Sequence, residues 1–126
     1  MNTAKISDIL MQIKELYSSI KQISTLLVDD FSEETLEKFL RTRERLLKEV
    51  YSKEAEYTRL RTKNTENSKE CSKLKNEISE LIRAIISLDN CINEKIASNM
   101  RNIRKELSSL HGSSRAALAY SSQRRI

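Results

Sequence analysis

Apolar side chains recur along most of this chain at alternating steps of three and four. Ile6, Ile9, Ile13, Leu16, Ile20, Ile23 and Leu27 open the pattern. That spacing marks one face of a helix, and Leu10 and Tyr17 beside it widen the face beyond a two-stranded seam. A helix is predicted over about residues 4–28. "VDDFSEET" then interrupts the pattern. Asp30 and Ser32 are good N-cap residues, and Glu33 stands three after Asp30 as in a capping box. Glu33, Glu34 and Glu37 suit the positive end of a helix dipole. A second helix is predicted over about 32–62, carrying Leu36, Phe39, Leu40, Leu46, Leu47, Val50, Tyr57 and Leu60. The short link makes the first two helices antiparallel neighbours.

"RTKNTENSKE" reads two ways. Asn64 and Asn67 occupy seam positions, and the Thr, Asn and Ser residues around them favour turns. Yet Tyr57, Leu60, Asn64, Asn67, Cys71 and Leu74 stay in phase, as in one unbroken helix. A turn near 62–69 is the preferred reading. One helix over 32–110 would be roughly 117 Å long and would need a partner chain to cover it.

A third helix is predicted over about 69–111. Leu74, Ile78, Leu81, Ile85, Leu88 and Ile92 lead into Ile96, Met100, Ile103, Leu107 and Leu110. Two successive steps of four, from Ile92 to Ile96 to Met100, make a stutter that unwinds a coiled coil. Gly112 is the expected stop, with Ser113 or Ser114 capping a short final helix through "RAALAY". The predicted fold is all-α: an antiparallel bundle or hairpin of three long helices plus a short C-terminal helix. Residues 1–112 form the bundle and 113–126 the short helix and basic tail. The expected core is Ile13, Leu16, Ile20, Ile23, Leu46, Val50, Leu74, Ile78, Leu81, Ile85 and Leu88.

Helix lengths expose a mismatch. The second helix offers apolar positions from Leu36 to Leu60, the third from Cys71 to Leu110. An antiparallel second helix covers the third only to about residue 95. Ile96, Met100, Ile103, Leu107 and Leu110 are then left bare, and a bare stripe is a binding face. Its expected occupants are the "AALAY" segment as a lid, a second copy in a homodimer, or a partner helix.

Composition sharpens the fold class. With no proline, one glycine and 33% charged residues, strand and turn punctuation is nearly missing. The net charge of +5 is uneven. Residues 1–100 carry 17 basic and 17 acidic side chains, whereas 101–126 carry six basic residues against Glu106 alone. No apolar run reaches membrane-spanning length. The early charges Lys5, Asp8, Lys14 and Glu15 do not suit a signal peptide, so a cytoplasmic protein without membrane insertion is expected. Cys71 and Cys91 match no metal spacing and read as reduced structural thiols. No phosphate loop, metal pattern or nucleophile–base pair is present, so neither catalysis nor a cofactor is expected. His111 reads as a polar helix end. The neutral body and the absence of a helix-turn-helix or zinc pattern argue against nucleic acid as partner.

"FLRTRERLLKEV" and "LIRAIISLDNCINEKIASNMRNIRKELSSLHGSSRAALAY" resemble bacterial flagellar export chaperones of the FliT type, with the FlgN type close behind. The likeness rests on Arg43, Glu44, Leu46 and Leu47, then Leu88, Asp89 and Ile92, then Arg104, Ala116, Ala117 and Tyr120. It implies a cytoplasmic chaperone that holds an amphipathic helix of a filament-cap or hook-associated protein. Such a chaperone delivers its cargo to the export ATPase and the membrane export gate. Cargo then belongs on Ile96, Met100, Ile103, Leu107 and Leu110, and gate docking on Arg115, Leu118 and Tyr120. The alternative is a structural homodimeric coiled-coil or adaptor protein with no export role.

Overall fold

The computed structural model describes the backbone over residues 2–63 and 69–124, and side chains over 6–61 and 69–110. Three helices follow one another: α1 (Asn2–Asp29), α2 (Glu33–Lys63) and α3 (Lys69–Arg124). No strand occurs among the described residues. The chain divides into two units, Met1–Ile92 and Asn93–Ile126.

The link from α1 to α2 is capped by Ser32. Its Oγ accepts the Thr35 amide at 3.1 Å, and Thr35 Oγ1 accepts the Ser32 amide at 2.8 Å. This is a reciprocal capping box, with threonine where glutamate or glutamine is usual. The first helical bond of α2 follows from Leu36 N to Ser32 O at 2.9 Å. The cap expected from Asp30 and Glu33 therefore sits two residues later. The short hydroxyls of Ser32 and Thr35 satisfy both amides, and Glu33 and Glu34 stay exposed in the first turn.

Within the first unit the helices run up, down and up. Ser7 Oγ lies 3.5 Å from Cys71 Sγ, and Lys14 Nζ lies 2.5 Å from Glu77. Ile20 packs with Ile85 higher up. Contacts that advance together along both helices make α1 and α3 parallel. Arg43 of α2 pairs with Asp89, and Tyr57 lies beneath Lys75, 5.9 Å from nitrogen to ring centre. These run in opposite senses, so α2 is antiparallel to α3. The unbroken helix over 32–110 is thereby replaced by a hairpin. The expected turn lies largely at residues 64–68, outside the described residues.

Two apolar clusters form the core. Ile6, Leu10, Cys71 and Leu74 make one, and Ile20, Leu46, Val50 and Ile85 make the other. Leu16, Ile23, Ile78, Leu81 and Leu88, expected in the core, are only half-buried. In a three-helix bundle the neighbours cover one side of each helix, so a seam residue at the margin keeps a flank in water. Cys71 is buried at a seam position, where a thiol packs as a small apolar group. Ser24 fits into the core because its Oγ donates to Ile20 O at 2.7 Å, which leaves no unpaired hydroxyl.

Polar contacts tie the helices at their margins. Tyr17 donates to Glu54 Oε1 at 2.8 Å, across α1 and α2. Burial, reinforced by that hydrogen bond, pushes the Tyr17 phenol well above its ordinary value of 10.0. The folded chain then holds this proton more tightly than the unfolded chain does. The contribution of Tyr17 to stability is complete below about pH 10 and is lost as the unfolded chain ionises above it. Urea unfolding of the wild type and Tyr17→Phe on both sides of that pH is the check. The wild type is expected to lose more stability than the variant on the alkaline side. Lys14 holds the Glu77 carboxyl below its usual range, mainly through their hydrogen bond.

The short C-terminal helix expected after Gly112 is not shown as a separate element, because α3 continues to Arg124. One glycine in a helix interior costs about 1 kcal/mol against alanine. The run Arg115, Ala116, Ala117, Leu118 and Ala119 that follows is made of strong helix formers. No described glycine has positive φ, so the left-handed cap that would end the helix does not form.

Candidate functional site

The seam of α3 supplies the candidate site. In the first unit, α1 and α2 bury Cys71, Leu74, Ile85 and Ile92 on it. The offset of 64 residues between Ser7 and Cys71 sets Val28, near the end of α1, level with Ile92. The cover supplied by α1 therefore ends where the first unit ends.

In the second unit the same three-and-four spacing carries on. Ile96 is half-buried. Met100 is 51% exposed, Ile103 40%, Leu107 59% and Leu110 65%. Every residue from Ala97 to Leu110 is exposed, so no described residue covers this stretch. At 3.6 residues per turn, the five apolar positions fall within an arc of roughly 80°. That is a narrow coiled-coil-like seam rather than a broad apolar face. Arg104 stands on one margin, beside Met100 and Leu107, and Glu106 on the other, beside Ile103 and Leu110, both exposed. Arg101 and Lys105 lie farther round the helix and are also exposed. Such a surface can bury apolar side chains of a second helix, with charged groups at its rim to set which helix fits.

The side chains of Arg115, Leu118 and Tyr120 lie outside the described residues. Their backbone is part of α3. Because α3 is unbroken from Lys69 to Arg124, it has no hinge at which residues 116–120 fold back over 96–110.

One contact joins stretches that the sequence placed far apart. The Arg43 guanidinium makes a two-pronged ion pair with Asp89, and the second prong, Nη2 to Oδ2, measures 2.8 Å. Its hydrogen bond to Asp89 raises the Arg43 pKa further above its already high ordinary value. The Phe39 ring packs 5.7 Å from the guanidinium carbon. Charge pattern alone could not find this pair, because nothing local links residue 43 to residue 89. It clamps α2 onto α3 one turn before the first unit ends. With both side chains about a quarter exposed, the coupling is expected at about 1 kcal/mol in a double-mutant cycle of Arg43→Ala and Asp89→Ala. A coupling near zero would make the pair a bystander.

An apolar hollow, about 320 Å³, opens where α1 meets α2, between Ile23, Leu26, Leu27 and Phe39. Leu40, read as a seam residue, is exposed nearby on α2. Phe39 takes the inward position instead. Among the described residues no group of three or more His, Cys, Asp or Glu is placed to hold a metal ion. No helix there is long and apolar enough to cross a membrane. Comparison with known protein families, with characterised proteins and with solved structures yields no match for this chain.

Proposed function

We propose that the protein is a cytoplasmic export chaperone of the flagellar type. It receives an amphipathic helix of a filament-cap or hook-associated protein on residues 96–110 and delivers it to the export apparatus. The observation that carries this reading is the exposed seam of Met100, Ile103, Leu107 and Leu110, continuous in spacing with the buried seam of α3. A terminal helix of a subunit kept unassembled until export has apolar residues at helical spacing and needs such a cover. An all-helical chain is compatible with such a chaperone.

The test is calorimetric titration of the full chain with terminal helical segments of filament-cap and hook-associated proteins from the same bacterium. Saturable binding of one segment supports the reading, and no binding of any of them removes it.

The export gate is assigned to the end of α3, around Arg115, Leu118 and Tyr120. Tyr120→Ala is expected to weaken docking on the cytoplasmic domain of the gate about tenfold, as for an aromatic anchor, while cargo affinity stays unchanged. Paired titrations of wild type and variant against both partners measure it. Loss of both affinities would make Tyr120 a packing residue.

A further inference from the structure

We infer that the helix received by residues 96–110 is acidic: an amphipathic helix with apolar residues at three-and-four spacing and Asp or Glu along its margins. The inference rests on the reading of this stretch as a docking face, and it names the partner's chemistry.

Three observations carry it. The first is the shape of the seam. Met100, Ile103, Leu107 and Leu110 follow at steps of three, four and three, and form a strip about one side chain wide. A bilayer surface takes a broad apolar face with aromatic anchors. Residues 93–110 contain no Phe, Tyr or Trp. A strip this narrow matches one helix.

The second observation is where the charge lies. Residues 1–92 hold 16 Lys and Arg against 16 Asp and Glu, whereas residues 93–126 hold seven against Glu94 and Glu106. The whole excess of +5 therefore belongs to the second unit, and the division falls where the bundle ends. Residues 96–110 themselves hold Arg101, Arg104 and Lys105 against Glu106, so a second copy would bring a like excess to the same seam, and like charges oppose that association. An acidic helix neutralises it.

The third is local. Arg104 is exposed and sits on the margin of the seam, one residue after Ile103. Its planar guanidinium is suited to a two-pronged bond with a carboxylate on a helix lying in the seam. Glu106 occupies the opposite margin, but Arg101 and Lys105 farther round the helix keep the field of this stretch positive and raise the rate of encounter.

The experiment uses the full chain and two designed helical peptides about 20 residues long, identical in their leucine seam. One carries Glu at the flanking positions and the other Lys. At about 50 mM salt the Glu peptide is expected to bind about tenfold tighter or more, the gap narrowing at about 500 mM as screening shortens the reach of the charges. Reversing Arg101, Arg104 and Lys105 to Glu is expected to reverse the preference. The uncharged pair Ile103→Ser and Leu107→Ser is expected to lose both peptides, with helicity intact by circular dichroism. Equal affinities, or tighter binding of the Lys peptide, overturn the inference. So does sedimentation of the wild type as a dimer that the two serines dissociate, which gives the seam to a second copy. Binding confined to phosphatidylglycerol vesicles or to duplex DNA overturns it as well. A Glu preference without binding of any flagellar segment keeps the acidic helix and removes the export reading. Binding of such a segment without a Glu preference does the reverse.

Discussion

Ile20→Ala is expected to destabilise the protein by about 2–5 kcal/mol, the range for large-to-small changes at fully packed sites. Ile20 is 1% exposed and touches the cluster that joins all three helices, with Leu46 and Val50 of α2 and Ile85 of α3. Removing its outer carbons opens a cavity that the three helices cannot all close in upon. A domain of this size has about 5–15 kcal/mol in total, so the loss is a large fraction. Leu81→Ala is expected to cost less, about 1–2 kcal/mol, because half-buried Leu81 already keeps part of its surface in water. Met100→Ala, at an exposed site, is expected to stay within about 0.5 kcal/mol. Urea unfolding followed by far-ultraviolet circular dichroism measures all three. Equal costs at Ile20 and Met100 would contradict the division into a packed bundle and a bare seam.

The second large effect concerns binding. Ile103→Asp combined with Leu107→Asp is expected to weaken cargo-helix binding by about 100-fold or more, about 2.7 kcal/mol. Both side chains are exposed in the free protein, so charge there costs little folding stability. In a complex each aspartate would be covered by an apolar helix and lose its hydration without a partner. Calorimetry gives the affinity, and circular dichroism shows whether the helix content has changed. Unchanged affinity would move the docking site elsewhere, and the hollow between Leu26 and Phe39 would be the next place to look.

The helices were legible because helix formation reports locally. The spacing from Ile6 to Leu27 and from Leu74 to Ile92 places each seam, and the predicted ends fall within two residues of those of α1 and α2. Long-range geometry was less legible. Phe39 and Leu40 both suit an apolar face, and only the position of α1 decides that Phe39 turns in and Leu40 out. Arg43 and Asp89 look like any two helix charges until the hairpin brings them together. Gly112 was read as a stop because glycine commonly ends helices. A stop also needs a left-handed residue and a chain that turns away, and the Ala-rich run after it supplies neither.

A bare stripe on α3 was legible in the sequence, and what docks on it was not. A comparison of helix lengths points to Ile96, Met100, Ile103, Leu107 and Leu110. Met100, Ile103, Leu107 and Leu110 are exposed, whereas Ile96 is half-buried. The lid was one of the covers that the bare stripe suggested, and the short separate helix it would need is not shown, because α3 continues through residues 116–120. Which helix comes to the seam is a property of the partner, and only the charge of residues 93–126 speaks to it.

Amide hydrogen exchange tests the proposed role most directly, with the full chain alone and saturated with the terminal helix of its filament-cap or hook-associated partner. Exposed helical amides open locally, and a docked helix suppresses that opening. The expected result is slowing by about tenfold or more over residues 96–110, with α1 and α2 unchanged. Protection confined to residues 2–63, or none with the partner bound, would contradict it.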